Sequence, residues 1–381
     1  MPGFGRKRIL LITSSYPGYR EDRRAAAGSF VKDFADELAD KAEVTVLTQK
    51  TDQGSSGVDE SKVRVIRFRW AGTETPLSTL RFPQDIVPIT SVILRGVFAV
   101  LKAGRRHNVD LTLAFWAIPS GLWALFLKWA YGTRYAVWCL GSDVWEYERG
   151  TLRRWFLRVI LKQAHTLYAD GYQLSADVES LTGKKCHFLS TSRRLPVSVS
   201  VNADLEPDKR NYVFIGRYHP NKGPDVLLEA ISKLEPSTLK KVHFHFFGGG
   251  PLKKSLEELI RKRRISGVVS LGGYICAEEV VAYLRACHAL IIPSRIESIP
   301  VVLSDALQNG SPVIVTDVGD MGHLIRKYQA GIVVQPDSPE EMARAISQDV
   351  IKEEDFSEGR KRLLELFDLP KTVERFVSDH Y

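Results

Sequence analysis

Short apolar runs recur along the whole chain, spaced so that a helix fits between one and the next. In the first half they fall at 8–13, 43–48, 63–69, 111–116, 135–140 and 166–169. The second half repeats the pattern at 212–216, 242–247, 268–271, 289–293, 313–316 and 332–334. Runs this short, rich in Val, Ile, Phe and Tyr, are strands and not helices. Strands alternating with helix-length segments pair in parallel, with helices on both faces. The chain therefore predicts an α/β fold of two doubly wound, Rossmann-like parallel-sheet domains. Ligands of such sheets lie beyond the carboxyl ends of the strands. Two such domains facing each other are expected to hold their ligand in the cleft between them.

The polar stretch 190–209 contains two prolines and no helical period, so it reads as a linker. This gives an N-terminal domain over 1–195, a second over 205–350, and a charged helical segment over 351–381. A chain of 381 residues is long enough for two full cores. Its 44% hydrophobic and 26% charged content is that of a soluble globular protein. The four cysteines are scattered without a C-x-x-C pair, which favours a reduced, cytoplasmic chain without a metal cluster. After Arg6-Lys7-Arg8 the apolar run 9–12 is too short for a signal-peptide core. Residues 111–127 carry no charge over 17 positions, near the lower limit for a membrane span. Pro119-Ser120-Gly121 interrupts them, so strand, turn and buried helix is the better reading.

A formal charge of +8 and a pI near 9.2 call for an anionic partner. No zinc-finger, basic-zipper or RNA-binding motif is present, so nucleic acid is not expected. Anionic lipid and a nucleotide diphosphate are simpler partners. Residues 149–165 predict a helix with Arg154, Arg158 and Lys162 on one side and Leu152, Trp155, Phe156 and Val159 on another. Such a helix packs on its own sheet or lies on an anionic membrane.

Two motifs carry candidate chemistry. Residues 297–305 read E-S-I-P-V-V-L-S-D, directly after a predicted strand. Pro300 suits a first helical turn, and Gly310 can supply the left-handed stop. Glu297 then lies in the strand-to-helix loop and Asp305 one to two turns into the helix. A loop carboxylate can hold a polyhydroxylated ligand, and the free N–H groups of a first turn can hold a phosphate. An N-cap and an ordinary helix would also explain this stretch. The second motif, Y-V-F-I-G-R-Y-H-P-N-K-G over 212–223, delivers Gly216 and Arg217 at a strand end and Lys222 at the next helix start. Two cations there make a diphosphate clamp, against the plainer alternative of a solvated basic turn. A nicotinamide fingerprint is weighed and rejected. Gly3 and Gly5 precede the first strand, and Lys253 stands where the third glycine of the 248–253 run belongs.

Residues 297–305 resemble the E-x7-E signature of family 4 (group 1) glycosyltransferases, with Asp305 in place of the second Glu. Gly216, Arg217, Lys222 and Gly223 resemble that family's G-R-x-x-x-x-K-G element, and 247–251 resembles its G-x-G-P turn. Leu271-Gly272-Gly273-Tyr274-Ile275 is similar to its base-contacting loop, and 310–314 with Gly319 to the strand after the acidic motif. In the first half, Ala27-Gly28 resembles the family's glycine-containing first loop, and Gly28 leaves room for a phosphate or sugar beside the backbone. Leu140-Gly141-Ser142-Asp143 resembles H-G-S-D, and Ala114-Phe115-Trp116 resembles A-H-W, each without its histidine.

The resemblance implies a two-domain B-type fold whose last helix returns to the first domain, and a retaining, metal-independent hexosyltransferase using a nucleotide-diphosphate sugar. Arg217 and Lys222 would neutralise the diphosphate and Glu297 would contact the sugar. Gly28, Gly216, Gly248, Gly250, Tyr274, Ser298, Ile299, Val301 and Asp305 would complete the donor site, with Asp305 at the ribose. Asp143 is the acceptor-side acid, with an N-cap role as its alternative. No cofactor is implied beyond the nucleotide sugar as substrate. The acceptor would be a glycan, glycolipid or small molecule. The protein would be cytoplasmic, with a peripheral place on the inner face of the membrane as a further expectation. A sugar phosphorylase would reuse the same phosphate site. A non-catalytic glycosyltransferase-like scaffold is the reading of a different class, favoured by the lost histidines and the Glu-to-Asp change. Release of free nucleotide diphosphate separates enzyme from scaffold.

Overall fold

The protein is described by a computed structural model over residues 6–17, 26–50, 62–72, 77, 80, 83–146, 151–348 and 353–381. Gly3 and Gly5, Gly18 and Ala25 of the first loop, and Arg149 at the start of the basic helix lie outside these residues. The chain divides into two compact units, Met1–Ser190 with Leu369–Tyr381, and Thr191–Asp368.

The first unit is built on seven parallel strands: β1 (Arg8–Ile12), β2 (Glu43–Gln49), β3 (Arg64–Phe68), β4 (Leu111–Phe115), β5 (Arg134–Cys139), β6 (Thr166–Ala169) and β7 (Cys186–Phe188). They lie in the order β3-β2-β1-β4-β5-β6-β7. The three-residue edge strand β7 is not among the predicted runs, because it has too few apolar positions to stand out. The central strands are apolar at successive positions because both faces of the sheet are covered. The helices are α1 (Ala26–Leu38), α2 (Ile86–His107), α3 (Leu122–Tyr131), α4 (Ser142–Trp145), α5 (Leu152–Gln163) and α6 (Tyr172–Thr182). On one face, Leu10, Ile12 and Val137 pack under Val92, Trp123, Leu157 and Leu174 from α2, α3, α5 and α6. On the other, Phe34 of α1 meets Phe115, Trp138 and Phe376 edge-on at ring-centroid distances of 5.8, 5.3 and 5.6 Å.

The second unit has six parallel strands: β8 (Arg210–Ile215), β9 (Val242–Phe247), β10 (Val269–Leu271), β11 (Ala289–Ile292), β12 (Val313–Thr316) and β13 (Ile332–Val334). Their order is β10-β9-β8-β11-β12-β13. Its helices are α7 (Pro224–Ser232), α8 (Pro236–Leu239), α9 (Lys253–Arg263), α10 (Ala277–Ala286), α11 (Val301–Gln308), α12 (Met321–Tyr328), α13 (Pro339–Ser347) and α14 (Glu353–Leu364). The charged C-terminal segment is shared between the units. Helix α14 packs on α11 and α12 of the second, whereas α15 (Leu369–Ser378) belongs to the first and carries Phe376. Residues 190–193 are not an exposed tether but are buried.

Every run predicted as a strand is a strand in the structure. The second sheet winds outward in opposite directions from β8 and β11, which pair through Ala289 with Tyr212 and Leu290 with Val213. The reversal of winding between these two strands is the switch point at which a doubly wound sheet binds its ligand.

In the first unit, α2 and α3 are locked by the Trp123 indole. Its Nε1–H donates to the Ile93 carbonyl oxygen (3.1 Å), and its ring lies where a side chain on Gly96 would be. Gly96→Ala should overpack this seam and cost about 1–3 kcal/mol, read as a lower urea midpoint. A midpoint equal to that of the parent chain would show that the seam is loose.

Candidate active site

Two loops meet at the switch point of the second sheet. The loop after β8 runs through Gly216 and Arg217 into a tight 3-10 turn, Pro220–Lys222. His219 opens that turn, its Nδ1 accepting from the Asn221 N–H (3.3 Å). Gly223 then takes a positive φ of 61°, and a Cβ there would strike the carbonyl oxygen of Pro293. Only glycine therefore lets the β8 loop seat against the loop leaving β11.

Arg295 fastens the seat. Its backbone N–H donates to the Asn221 carbonyl oxygen (2.8 Å), and its guanidinium to the Pro220 carbonyl oxygen (2.8 Å). The guanidinium also donates to both oxygens of Asp225 at the start of α7 (2.9 and 2.7 Å) and to Asp337 (2.5 Å). Bidentate Arg–carboxylate pairs fix geometry as well as charge. The outcome is that Lys222 Nζ donates to Glu297 Oε2, with both side chains largely covered. Behind Glu297, Gly319 at the end of β12 has φ 52°, and a Cβ there would strike the Glu297 carbonyl oxygen.

Gly216 and Arg217, Gly248 and Gly250, and Tyr274 lie in the loops after β8, β9 and β10 of the same unit. Arg217 is exposed at the end of β8. Burial, and then the charges of Arg217 and Lys222, hold the His219 pKa below its ordinary value. Gly216 and Gly248 are in backbone contact, and the Tyr218 N–H beside Gly250 donates to the Gly249 carbonyl oxygen (2.8 Å). The Tyr274 hydroxyl donates to that same carbonyl oxygen (3.2 Å), which places Tyr274 over the glycine loop. Ile299 is buried and Val301 opens α11, with Pro300 as its N-cap. Gly310 ends that helix with φ 69°. Ser294 and Ser298 are 1% exposed, and their hydroxyls have no hydrogen-bond partner among the described residues. Buried hydroxyls of this kind call for a hydrogen-bonding partner.

Asp305 is placed differently from the other acids. It is 1% exposed, and both its oxygens accept from Arg193: Nε at 2.9 and 3.1 Å, and a terminal nitrogen at 2.5 Å. Gln308 in turn donates to the Arg193 carbonyl oxygen (3.0 Å). A ribose contact by Asp305 would require Arg193 to give up those bonds. Glu297 and Lys222 are thus joined directly, while Asp305 is committed inward.

In the first unit, Asp143 braces two strand-end loops. Its Oδ2 accepts from the Ala117 N–H (2.7 Å), after β4, and its Oδ1 from the Leu140 N–H (3.0 Å), after β5. Burial pushes its pKa up to about 6, against the opposing pull of those backbone donors. Gly28 lies in α1 with the backbone of Ser15 only 2.8 Å from where its Cβ would be. Close packing of the first loop on α1 accounts for a glycine there without any ligand. Among the described residues no group of three or more His, Cys, Asp or Glu side chains could hold a metal.

Two doubly wound parallel-sheet domains are the B-type fold that this chain shares with solved glycosyltransferase structures. The chain matches the family model of the group 1 glycosyl transferases over residues 201–364 and that of a glycosyl transferase 4-like domain over residues 26–183. It is 30% identical over 263 residues to TuaC of Bacillus subtilis, named as a proposed teichuronic acid biosynthesis glycosyltransferase. That match covers 66% of this chain and 64% of TuaC, a little under two thirds of the relative's length. Sucrose-phosphate synthase from Thermosynechococcus elongatus shares the fold, with a TM-score of 0.79 at 18% identity over 98% of both chains. Anabaena HepE, crystallised with UDP-glucose, has a TM-score of 0.72 at 13% identity, covering 98% of this chain and 99% of HepE.

Sequence reasoning missed Arg193, Arg295 and His219. Arg193 lay inside the supposed linker, where its only signal was a double arginine in a polar stretch. His219 and Arg295 adjoin motif residues but belong to no signature.

Arg193→Ala should destabilise the protein by about 3–5 kcal/mol, because it strands a buried carboxylate. Replacing the pair together by Met and Leu should recover most of that loss. Urea unfolding of the single and double variants checks this, and a single-variant cost below about 1 kcal/mol would contradict it. Asp143 generates a pH prediction. Its folded-state pKa lies above its ordinary 3.8, so between about 4 and 6 the folded chain binds more protons than the unfolded one. Stability then falls as pH rises through that window, by up to about 3 kcal/mol. In Asp143→Asn this component of the pH dependence should vanish, at the cost of one backbone N–H left without its acceptor. Unfolding midpoints measured from pH 4 to 7 test both statements.

Proposed function

We propose that this protein transfers a sugar from a nucleotide-diphosphate donor to a glycan or lipid-linked acceptor, with retention of anomeric configuration and without a metal ion. The observation that carries the reading is the Lys222–Glu297 pair at the switch point of the second sheet. A donor's diphosphate would draw the Lys222 ammonium to itself, freeing the Glu297 carboxylate to accept from sugar hydroxyls. As the bond from the anomeric carbon to the diphosphate oxygen breaks, negative charge grows on that oxygen. Lys222, once drawn to the diphosphate, and Arg217 oppose it electrostatically. These two cations take the part a metal would otherwise play. The new bond joins the anomeric carbon to an acceptor oxygen, whose proton leaves with the departing diphosphate.

Ser294 and Ser298 supply hydroxyls, and Tyr274 a surface over the glycine loop, for the nucleotide and phosphates. HepE's complex with UDP-glucose supports a nucleotide-sugar donor. Retention follows from the family resemblance, and TuaC's name, which specifies teichuronic acid biosynthesis, supports a role in cell-envelope polysaccharide synthesis. Asp143 acts on the acceptor side by fixing the loops after β4 and β5.

A panel of UDP-, GDP- and ADP-sugars should raise the unfolding temperature with one base above the others. The preferred donor should release free nucleotide diphosphate. Glu297→Gln and Lys222→Ala should each lower turnover by about 100- to 1,000-fold with little change in unfolding temperature. If the parent chain neither binds nor hydrolyses any donor of the panel, the reading fails, and a scaffold subunit takes its place.

A further inference from the structure

The outer sides of α2, α3 and α5 form one surface. The three helices lie side by side on the same face of the first sheet, with α3 between the others. Trp123 of α3 fills the groove at Gly96 of α2, and Ile160 of α5 packs at Gly121, beside the start of α3. Lys128 of α3 donates to the Gln163 carbonyl oxygen at the end of α5 (2.7 Å). Their inner sides are therefore spent on the core. Their outer sides present Leu94, Phe98, Trp129, Leu152, Trp155 and Phe156, which are 64, 70, 60, 70, 57 and 45% exposed. Single exposed apolar residues need no explanation, but neighbouring large ones do.

Charge on the same helices is one-sided. They contain nine Lys and Arg (four on α2, one on α3, four on α5) and not one Asp or Glu. The whole chain carries +8, so the rest of it is close to neutral and its positive surplus is concentrated here. Among the described residues, helix α2 alone has the length and apolar composition to cross a membrane. Its Val92, Gly96 and Val100 are buried in this unit, so it lies along the unit's surface.

We propose that α2, α3 and α5 together form a docking face for an anionic phospholipid bilayer, with aromatic and aliphatic side chains entering the acyl boundary and the basic groups meeting lipid phosphates. Two independent terms favour this occupant. Each basic residue near an anionic leaflet adds attraction, and each apolar side chain adds burial. Nucleic acid would answer the charge, but it offers no hydrocarbon for Phe98 and Trp155. The proposal deepens the reading of a lipid-linked acceptor handled at the inner membrane face. Its assay reads binding without turnover, so its failure is distinguishable from failure of the glycosyltransfer reading.

The test is co-sedimentation of the full chain with phosphatidylcholine vesicles, with and without about 30% phosphatidylglycerol. The chain should bind the anionic vesicles at least about tenfold more tightly than the neutral ones, and should be released by high salt. Phe98→Ser with Trp155→Ser should weaken anionic-vesicle binding by about tenfold or more. Arg95→Glu with Arg158→Glu should weaken it further. Both pairs are on exposed positions, so unfolding temperature and donor hydrolysis should stay at parent values. Equal binding to both vesicle types, binding to neither, or parent-like binding by both variants would overturn the proposal. So would salt-sensitive retention on duplex DNA without any binding to vesicles.

Discussion

The seating of one loop on another governs the candidate site. The turn after β8 rests backbone to backbone on the loop leaving β11, a contact possible only because Gly223 lacks a side chain and has a positive φ. Arg295 holds that contact with a guanidinium shared between Asp225, Asp337 and the Pro220 carbonyl oxygen. Lys222 and Glu297 meet as a consequence of this arrangement. They lie 75 residues apart in sequence, and neither side chain could find the other if the loops were free to sample alternatives. The entropy of ordering them is met by packing and hydrogen bonds that never touch a ligand.

The sheet explains why the meeting occurs there. Strands β8 and β11 are neighbours, but the chain leaves them in opposite winding directions. Their loops meet beyond the strand ends, in the crevice that a switch point forms, where helix starts bring positive backbone dipoles together. A cation on one loop and a carboxylate on the other give the crevice two chemically distinct ends. Such polarity suits a ligand that is itself polar along its length, charged phosphate at one end and neutral hydroxyls at the other.

Much of this was legible in the residues. Apolar runs marked the strands because both sheet faces are buried, which makes the runs continuous and easy to recognise. Gly216, Arg217, Lys222 and Glu297 stood in motifs whose spacing encodes loop positions at strand ends. What could not be read was pairing over distance. Arg193 and Asp305 are separated by 112 residues, and no local pattern marks two groups that meet only after folding. Asp143 was legible as a strand-end acid, but its bonds to the Ala117 and Leu140 N–H groups depend on where two loops arrive. In the sequence, 111–127 stands out as the segment nearest a membrane span, for its lack of charge. Helix α2 escaped notice because its basic residues break the apolar pattern in sequence while lying along its exposed side in space.

The buried pair at 193 and 305 also has an evolutionary consequence. Arg193 and Asp305 fill their shared space with one guanidinium and one short carboxylate, so lengthening the acid by a methylene would drive it into the arginine. The two sites are thereby coupled, free to drift only in tandem, and a lineage holding glutamate at 305 should carry a smaller or differently angled residue at 193.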